Sequence, residues 1–423
     1  LRAPLLFRHG YAGLVRTMDR ATPAVECMSN PLLAGALGAY AADLGQAVEQ
    51  AWTARRDQMA VFPEVATRCL REVEVPEGLD AATILRSVAM ARHLVRQEDP
   101  RGTFGSPPVT LWRSREFFVS ALFWFDGTTS VHQHAFSGAF RVLAGGSIHA
   151  PYKFSLGEEV THRLILGDLQ LDEPELLRAG DVRAIEPGNS FIHGLFHLER
   201  PSVTLVVRTY GQPMYEPQYD YLRPGVGYDA SYRDEQLERR LQSVVALADL
   251  DPDAGLEVAS ELMEAEDLWV GYVLARRWFA KVDRGKRLQR LLDNLAKRHG
   301  QVTAPLLGAF DHERRLLSIT TRRQLLTDPD HRLFLALLLN LPDRASIDKV
   351  LEQRIPGEDP GALLARWVTE LASPPRRGIS GLVMDEAETA AVVAELRAGC
   401  TEALSRVKLA GTPAELLRDL FHT

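Results

Sequence analysis

The sequence predicts an α+β chain, a β jelly roll or barrel flanked by N-terminal helices and a C-terminal all-helical region. Three observations carry that expectation. The hydrophobic period changes from helical to strand-like near residue 109 and back again near residue 234. Between those points, short runs rich in Val, Ile, Phe and Thr alternate with Gly, Pro and Asp turns, the pattern of a sandwich or barrel. A length of 423 residues exceeds one compact core of ordinary size, so two or three structural units are expected. The expected division is 1–108 for the N-terminal helical region, 109–233 for the barrel and 234–423 for the C-terminal helical domain.

The elements follow in chain order. Asn30-Pro31 opens an Ala/Leu-rich stretch to about Asp57, with Asn30 suited to the N-cap and Pro31 to the first helical position. A second amphipathic stretch runs from about Ala81 to Gln97. Asp99-Pro100-Arg101-Gly102 stops it, and Pro107-Pro108 marks a boundary. Strands are expected near 117–125, 130–134, 139–144, 147–154, 160–166, 182–185, 190–197 and 202–210. Beyond Asp234 the pattern is helical. Asp251-Pro252, Asp328-Pro329 and Asp359-Pro360 each precede an apolar-periodic segment, as helix starts prefer. Their unequal intervals predict a bundle or an irregular stack of helix pairs, with a scaffold or interaction role. His331 to Leu341 is too short for a bilayer span and reads as a buried helix.

Composition narrows the function classes. Hydrophobic residues at 46% and charged residues at 25% are those of a soluble globular protein. A net charge of -7 gives no basic excess to attract nucleic acid. No apolar run approaches the roughly 20 residues of a transmembrane helix, so no membrane partner is expected. Cys27, Cys69 and Cys400 are scattered and lack CxxC spacing, which argues against a disulfide framework or a cysteine zinc site. A reducing, cytoplasmic setting is the expectation. The chain begins with Leu1, so a signal peptide is excluded only within the residues given.

Chemistry concentrates in two short runs. Gly127-Thr128-Thr129-Ser130-Val131-His132-Gln133-His134 follows the apolar segment from Phe117 to Phe125. Residues i and i+2 of a strand share a face, so His132 and His134 can bind one ion together. Pro187-Gly188-Asn189-Ser190-Phe191-Ile192-His193 supplies a third imidazole after a turn. Three nitrogens from neighbouring strands would leave coordination positions open for a substrate.

These runs resemble the cupin superfamily. Its first motif places H-x-H after a glycine and ends in a glycine, here Gly127, His132, His134 and Gly145. Its second motif is matched by Gly180-Asp181, Pro187-Gly188 and a histidine, with one residue more than usual after the turn. Either His193 or His197 therefore fills the third ligand position. Many cupins carry a glutamate ligand where Gly138 stands here. Cupins with three histidines and no carboxylate include the thiol dioxygenases, the cysteine dioxygenase-like group. Phe123 to His134, Val142-Leu143-Ala144-Gly145 and Pro201 to Leu205 resemble strands and turns of that group.

The resemblance implies an oxidoreductase that joins dioxygen to a small polar, thiol-containing substrate at Fe(II). With neutral ligands the ion keeps its full double charge, so an anionic thiolate binds it strongly. Imidazole also suits Zn, Ni and Cu, and Mn remains a further option, so the choice of iron rests on the resemblance. Pairing of barrels into a homodimer is implied in the same way. The chain departs from the group on the late strand. Thr204, Val206 and Arg208 stand where a Ser-His-Tyr relay is found, and Tyr210 follows one strand step further on.

Other polar residues complete the candidate set. His197 is a candidate fourth ligand, ligand partner or acid/base group, and its alternative is a structural histidine. Tyr210 and Tyr152 offer phenols. His149 lies on a neighbouring strand and reads as structural. The thiol dioxygenases hold the substrate carboxylate with an arginine upstream of H-x-H, which nominates Arg113 and Arg115. Arg141 and Arg208 could serve from inner strand positions. Two further readings stand beside the oxygenase. One is a non-redox metal enzyme (an isomerase, lyase or hydrolase) with Glu158, Glu159 or His197 as base. The other is a ligand-binding barrel carried on a helical interaction scaffold.

Overall fold

Two antiparallel sheets form a jelly roll, with helices before and after them. The computed structural model describes residues 33, 35–55, 58–98, 104–125, 127–230, 232, 234–281, 286–374, 376–398 and 409–421. The expected helix start at Asn30-Pro31 and the stop at Asp99 to Gly102 lie outside the described residues. So do Cys27 and Cys400.

Helices α1 (Gly35–Thr53), α2 (Phe62–Glu72) and α3 (Ala81–Met90) come first. The strands are β1 (Pro108–Arg113), β2 (Phe117–Trp124), β3 (Gly127–Thr128), β4 (Val131–His134), β5 (Gly138–Ala144) and β6 (Gly146–Thr161). They continue as β7 (Leu164–Leu171), β8 (Glu175–Arg178), β9 (Val182–Ile185), β10 (Gly188–His197), β11 (Ser202–Thr209), β12 (Tyr219–Leu222) and β13 (Val226–Asp229). Helices α4 (Glu235–Leu250), α5 (Pro252–Ala265), α6 (Leu268–Lys281), α7 (Lys286–His299) and α8 (Ala304–Leu325) follow. The last are α9 (Pro329–Asn340), α10 (Arg344–Arg354), α11 (Pro360–Ala372), α12 (Arg376–Ser380), α13 (Glu386–Ala398) and α14 (Gly411–Leu417).

The described residues form two compact units. One is drawn from 1–152, 171–216 and 317–423, the other from 153–170 and 217–316. The first holds a five-stranded sheet in the order β1-β2-β11-β5-β9. Its central strands β2 and β11 pair in unbroken register from Trp124–Ser202 to Phe117–Thr209. Alternation sends their side chains to two different cores. Phe117, Val119, Ala121, Phe123, Val203, Leu205 and Val207 join residues of α1 and α2 such as Leu44, Trp52, Phe62 and Leu70. Leu122, Trp124 and Val206 face inward and meet Phe136, Phe140, Val142, Leu177 and Leu195. A strand buried on both faces reads as a continuous apolar run, which is why Phe117 to Trp124 carries no polar alternation.

In the same unit β10 lies between β4 and the first half of β6, and β6 pairs on with β8. Beside these strands run C-terminal helices. The Tyr152 hydroxyl donates to the Asn340 carbonyl at 3.4 Å, and Leu176 N–H donates to Gln353 Oε1 at 2.8 Å. Helix α9 is buried continuously from Leu333 to Leu339, as its apolar run predicts. The Asp-Pro pairs do start helices. Asp251, Asp328 and Asp359 each accept N–H bonds from the first turn of α5, α9 and α11.

The second unit contains β7, β12, β13 and α4 to α7. Leu164, Leu166 and Val226 of its strands share a core with Leu241, Leu256, Trp278 and Leu291. Among the described residues no helix is long and apolar enough to cross a membrane.

Several local expectations need correction. The helix begun at Ala81 ends at Met90, and Ala91 is already extended. The Gln97 side chain accepts from Thr110 N–H at 2.9 Å and donates to Thr110 O at 3.1 Å, so residues before β1 lie along that strand instead of continuing a helix. The strand expected at 160–166 is split by the turn between β6 and β7. β1, β3, β8, β12 and β13 fall outside the expected strands, being short or, for β1, opened by a proline.

Candidate metal centre

His132 and His134 end β4 on one face, and His193 stands directly opposite His132 on β10. The pairing of β10 with β4 shifts register between Gly188 and His193. Between these two pairs β10 advances from 188 to 193 while β4 covers only 132 to 134, and the irregularity still delivers an imidazole to the pair. Gly188 has φ 68°, the left-handed turn that glycine adopts without a steric penalty.

The three rings converge. Single nitrogens of His132, His134 and His193 all lie within 4.8 Å of one another. Among the described residues no other group of His, Cys, Asp or Glu is so placed. His134 Nε2 and His193 Nε2 are 3.1 Å apart. Two nitrogens bound to one ion at about 2.0–2.1 Å are separated by about 3 Å, so the spacing suits a shared ion. His132 Nδ1 lies 2.8 Å from the Ser130 carbonyl. A carbonyl only accepts, so Nδ1 carries the hydrogen and Nε2 keeps the lone pair a metal needs.

The centre is buried and walled by aromatic rings. The rings of Phe136 and Phe191 lie 4.7 and 5.9 Å from His134, and Phe104 lies 5.8 Å from His132. Burial pulls the His132 pKa down to about 4. Burial, then His132 and Arg208, hold His134 well below the ordinary range. Burial and the neighbouring histidines do the same to His193. The ligand candidates are therefore neutral at ordinary pH, as metal binding requires.

No protein-family model matches the sequence, and no curated protein matches it. Solved structures do match in part. One is a cupin-2 domain protein from Shewanella frigidimarina, 13% identical, covering 24% of this chain and 79% of that one with a TM-score of 0.17. Another is hydroquinone 1,2-dioxygenase from a Sphingomonas species, 13% identical, covering 27% and 71% with a TM-score of 0.22. A double-stranded β-helix protein from Klebsiella pneumoniae is 15% identical and covers 30% and 90% with a TM-score of 0.18.

The structure separates the other candidates. His197 does not join the cluster. Its Nδ1 lies 2.9 Å from Ser147 Oγ, and its ring stacks on Trp124 with centroids 4.3 Å apart. Burial takes its pKa down to about 3. Tyr210 donates to the Ser114 carbonyl at 3.2 Å and receives Arg113 at the same distance. Arg113 also faces Glu98 at 3.4 Å. Arg115 is exposed in the turn before β2. Arg141 points to α2, donating to the Leu70 carbonyl at 2.8 Å. Glu158 and Glu159 are exposed on the part of β6 that belongs to the second unit.

Arg208 is the arginine that comes to the histidines. It follows Thr204 and Val206 on the inward face of β11. Its guanidinium carbon lies 3.8 Å from the centroid of Phe136, the ring that abuts His134. In the strand register Arg208 stands opposite Gly138. A Cβ on Gly138 would meet the Val207 carbonyl oxygen at 2.2 Å, so the backbone leaves no room for a side chain where a carboxylate ligand would start.

Sequence reasoning missed the groups behind His193. His149 Nε2 lies 3.1 Å from His193 Nδ1, and His149 Nδ1 lies 2.8 Å from Glu175 Oε1. Arg183 Nε donates to the same Glu175 oxygen at 2.8 Å, and its NH2 group reaches the other oxygen. Burial alone would raise Glu175, but Arg183 and His149 bring it down to about 2. The sole sequence signal was His149 itself, in Ser147-Ile148-His149-Ala150-Pro151-Tyr152.

Proposed function

We propose that His132, His134 and His193 hold one ferrous ion, and that the protein is a cytoplasmic oxygenase of the thiol dioxygenase type. Its substrate on this reading is a small polar thiol that reacts with dioxygen. The observation that carries it is a buried cluster of three neutral imidazoles, with a guanidinium beside it and no carboxylate within it. When bound there, the ion supplies one-electron redox chemistry, Lewis acidity and open coordination positions.

The chain's own residues do the rest. Arg208 would bind an anionic end of the substrate, a role supported by its guanidinium lying on Phe136 beside His134 and by the fit of its planar fork to a carboxylate. Phe104, Phe136 and Phe191 exclude water from around the ring nitrogens. Both atoms of dioxygen end on sulfur, so the thiolate supplies all four electrons and no external reductant is consumed.

Metal analysis of the purified protein, with added ferrous ion, is the first test. Oxygen uptake with small thiols, with and without a carboxylate, is the second. A protein that neither contains nor takes up a transition metal sinks the metal reading. A loaded protein that consumes no oxygen with any thiol removes the dioxygenase. Turnover with zinc and without oxygen selects the non-redox alternative, for which the exposed Glu158 and Glu159 are poor bases.

A further inference from the structure

We infer that Glu175, held by Arg183, sets the tautomer of His193 through His149, so that the His193 Nε2 lone pair faces the metal position. The inference rests on the reading of His132, His134 and His193 as ligands, and names residues that would tune that site without touching the ion.

The hydrogen bonds run inward from the surface. Glu175 and Arg183 are each about a third exposed, at 32% and 33%. Both Glu175 oxygens are engaged, one of them by Arg183 Nε and His149 Nδ1 together. An ionised carboxylate can only accept. The hydrogen between Glu175 and His149 must therefore sit on His149 Nδ1. At a pH where imidazoles are neutral, the condition of the test below, His149 carries one N–H, so its Nε2 accepts. Its partner at 3.1 Å, His193 Nδ1, must then donate. That leaves His193 Nε2 with its lone pair, at the 3.1 Å approach to His134 Nε2 where the ion would sit.

Strand register builds this chain. Glu175 lies directly opposite His149 on β8 and β6. His149 lies opposite Leu195, one diagonal step from His193 on the same face of β10. Arg183 comes from the other sheet, paired with Phe140. Without an acceptor at Glu175 the two-histidine chain could reverse, placing a hydrogen on His193 Nε2 and blocking the ligand position. Partners of this kind commonly change metal affinity by about 10–100-fold.

The test uses full-length protein labelled with 15N at histidine, studied metal-free above the ordinary histidine pKa of about 6.5. Ring-nitrogen shifts report the His193 tautomer, and calorimetry with zinc alone reports affinity. Wild type is expected to show His193 with hydrogen on Nδ1. Glu175→Ala is expected to lose that preference and about 10–100-fold in zinc affinity. Glu175→Gln, which keeps an acceptor oxygen, is expected to retain much of both. His149→Phe repeats the loss with the ring volume kept. If that buried variant fails to fold, Glu175→Ala, at a partly exposed site, still decides. Unchanged tautomer and unchanged affinity in Glu175→Ala would overturn the inference. A tautomer shift in a protein that binds no metal, wild type included, would sustain the hydrogen-bond chain and sink the metal reading alone.

Discussion

Acid should weaken the fold through His197, and replacing it should remove that weakness. His197 is fully buried, with 0% exposure, stacked on Trp124 and bonded to Ser147 Oγ. Burial lowers its pKa from 6.5 to about 3. The folded state therefore binds this proton less readily than the unfolded state. The contribution to stability is complete above about pH 6.5 and declines as pH falls toward 3. At about pH 5 the unfolded side chain is largely protonated and the folded one is not, a loss of about 2 kcal/mol. His197→Phe keeps a ring against Trp124 but forfeits the Ser147 bond, about 1 kcal/mol at every pH. The variant should be less stable than wild type near neutral pH and more stable near pH 5. Urea unfolding of the metal-free protein, followed by tryptophan fluorescence, compares the midpoints at each pH. His132 titrates in both proteins and does not disturb the difference. Parallel pH dependences for wild type and variant would refute the reasoning.

Two further outcomes follow from strand spacing. Gly138→Ala puts a Cβ against the Val207 carbonyl at 2.2 Å and should cost about 1–3 kcal/mol or more, read as a lower urea midpoint. An unaltered midpoint would show that β5 and β11 part freely. Arg208→Met should raise KM for an anionic substrate by about tenfold or more while metal affinity stays within a few fold. Arg141→Met removes the bond to the Leu70 carbonyl and should lower stability without altering KM. Equal effects of the two on KM would count against Arg208 as the anion partner.

The fold was legible where one residue type dominates a local choice. Asp before Pro marked three helix starts, because a carboxylate caps free N–H groups and proline needs no N–H there. Phe117 to Trp124 announced a strand covered on both faces. The segment after Met90 misled, since its apolar spacing is helical while Gln97 finds its partners on Thr110 of β1. The short strands β8, β12 and β13 carry too few residues to show a period of two. At the site, His132 and His134 were readable from spacing alone. The choice between His193 and His197 was not, because both face inward on β10. The bulge after Gly188 decides which one meets β4. His149 and Arg183 lie on different sheets, so no sequence interval pointed to their shared partner, Glu175.

The neutral donor set is a property of backbone spacing as much as of residue choice. Gly138 sits in register with Arg208, and the β11 backbone occupies the space a Cβ would need. A glutamate at 138 would thus have to force the two strands apart before its carboxylate could reach the histidines. The nearby carboxylate, Glu175, stands behind His149, and Arg183 meets its charge. Its influence on the centre is through hydrogen-bond direction rather than net charge. An ion held by these histidines would keep its charge, with the Arg208 guanidinium adding to the positive field. The arrangement favours an anionic partner over a neutral one and ties that preference to β5, β11 and β8 together. Exchanging a single histidine on β4 or β10 would leave all three of those constraints in place.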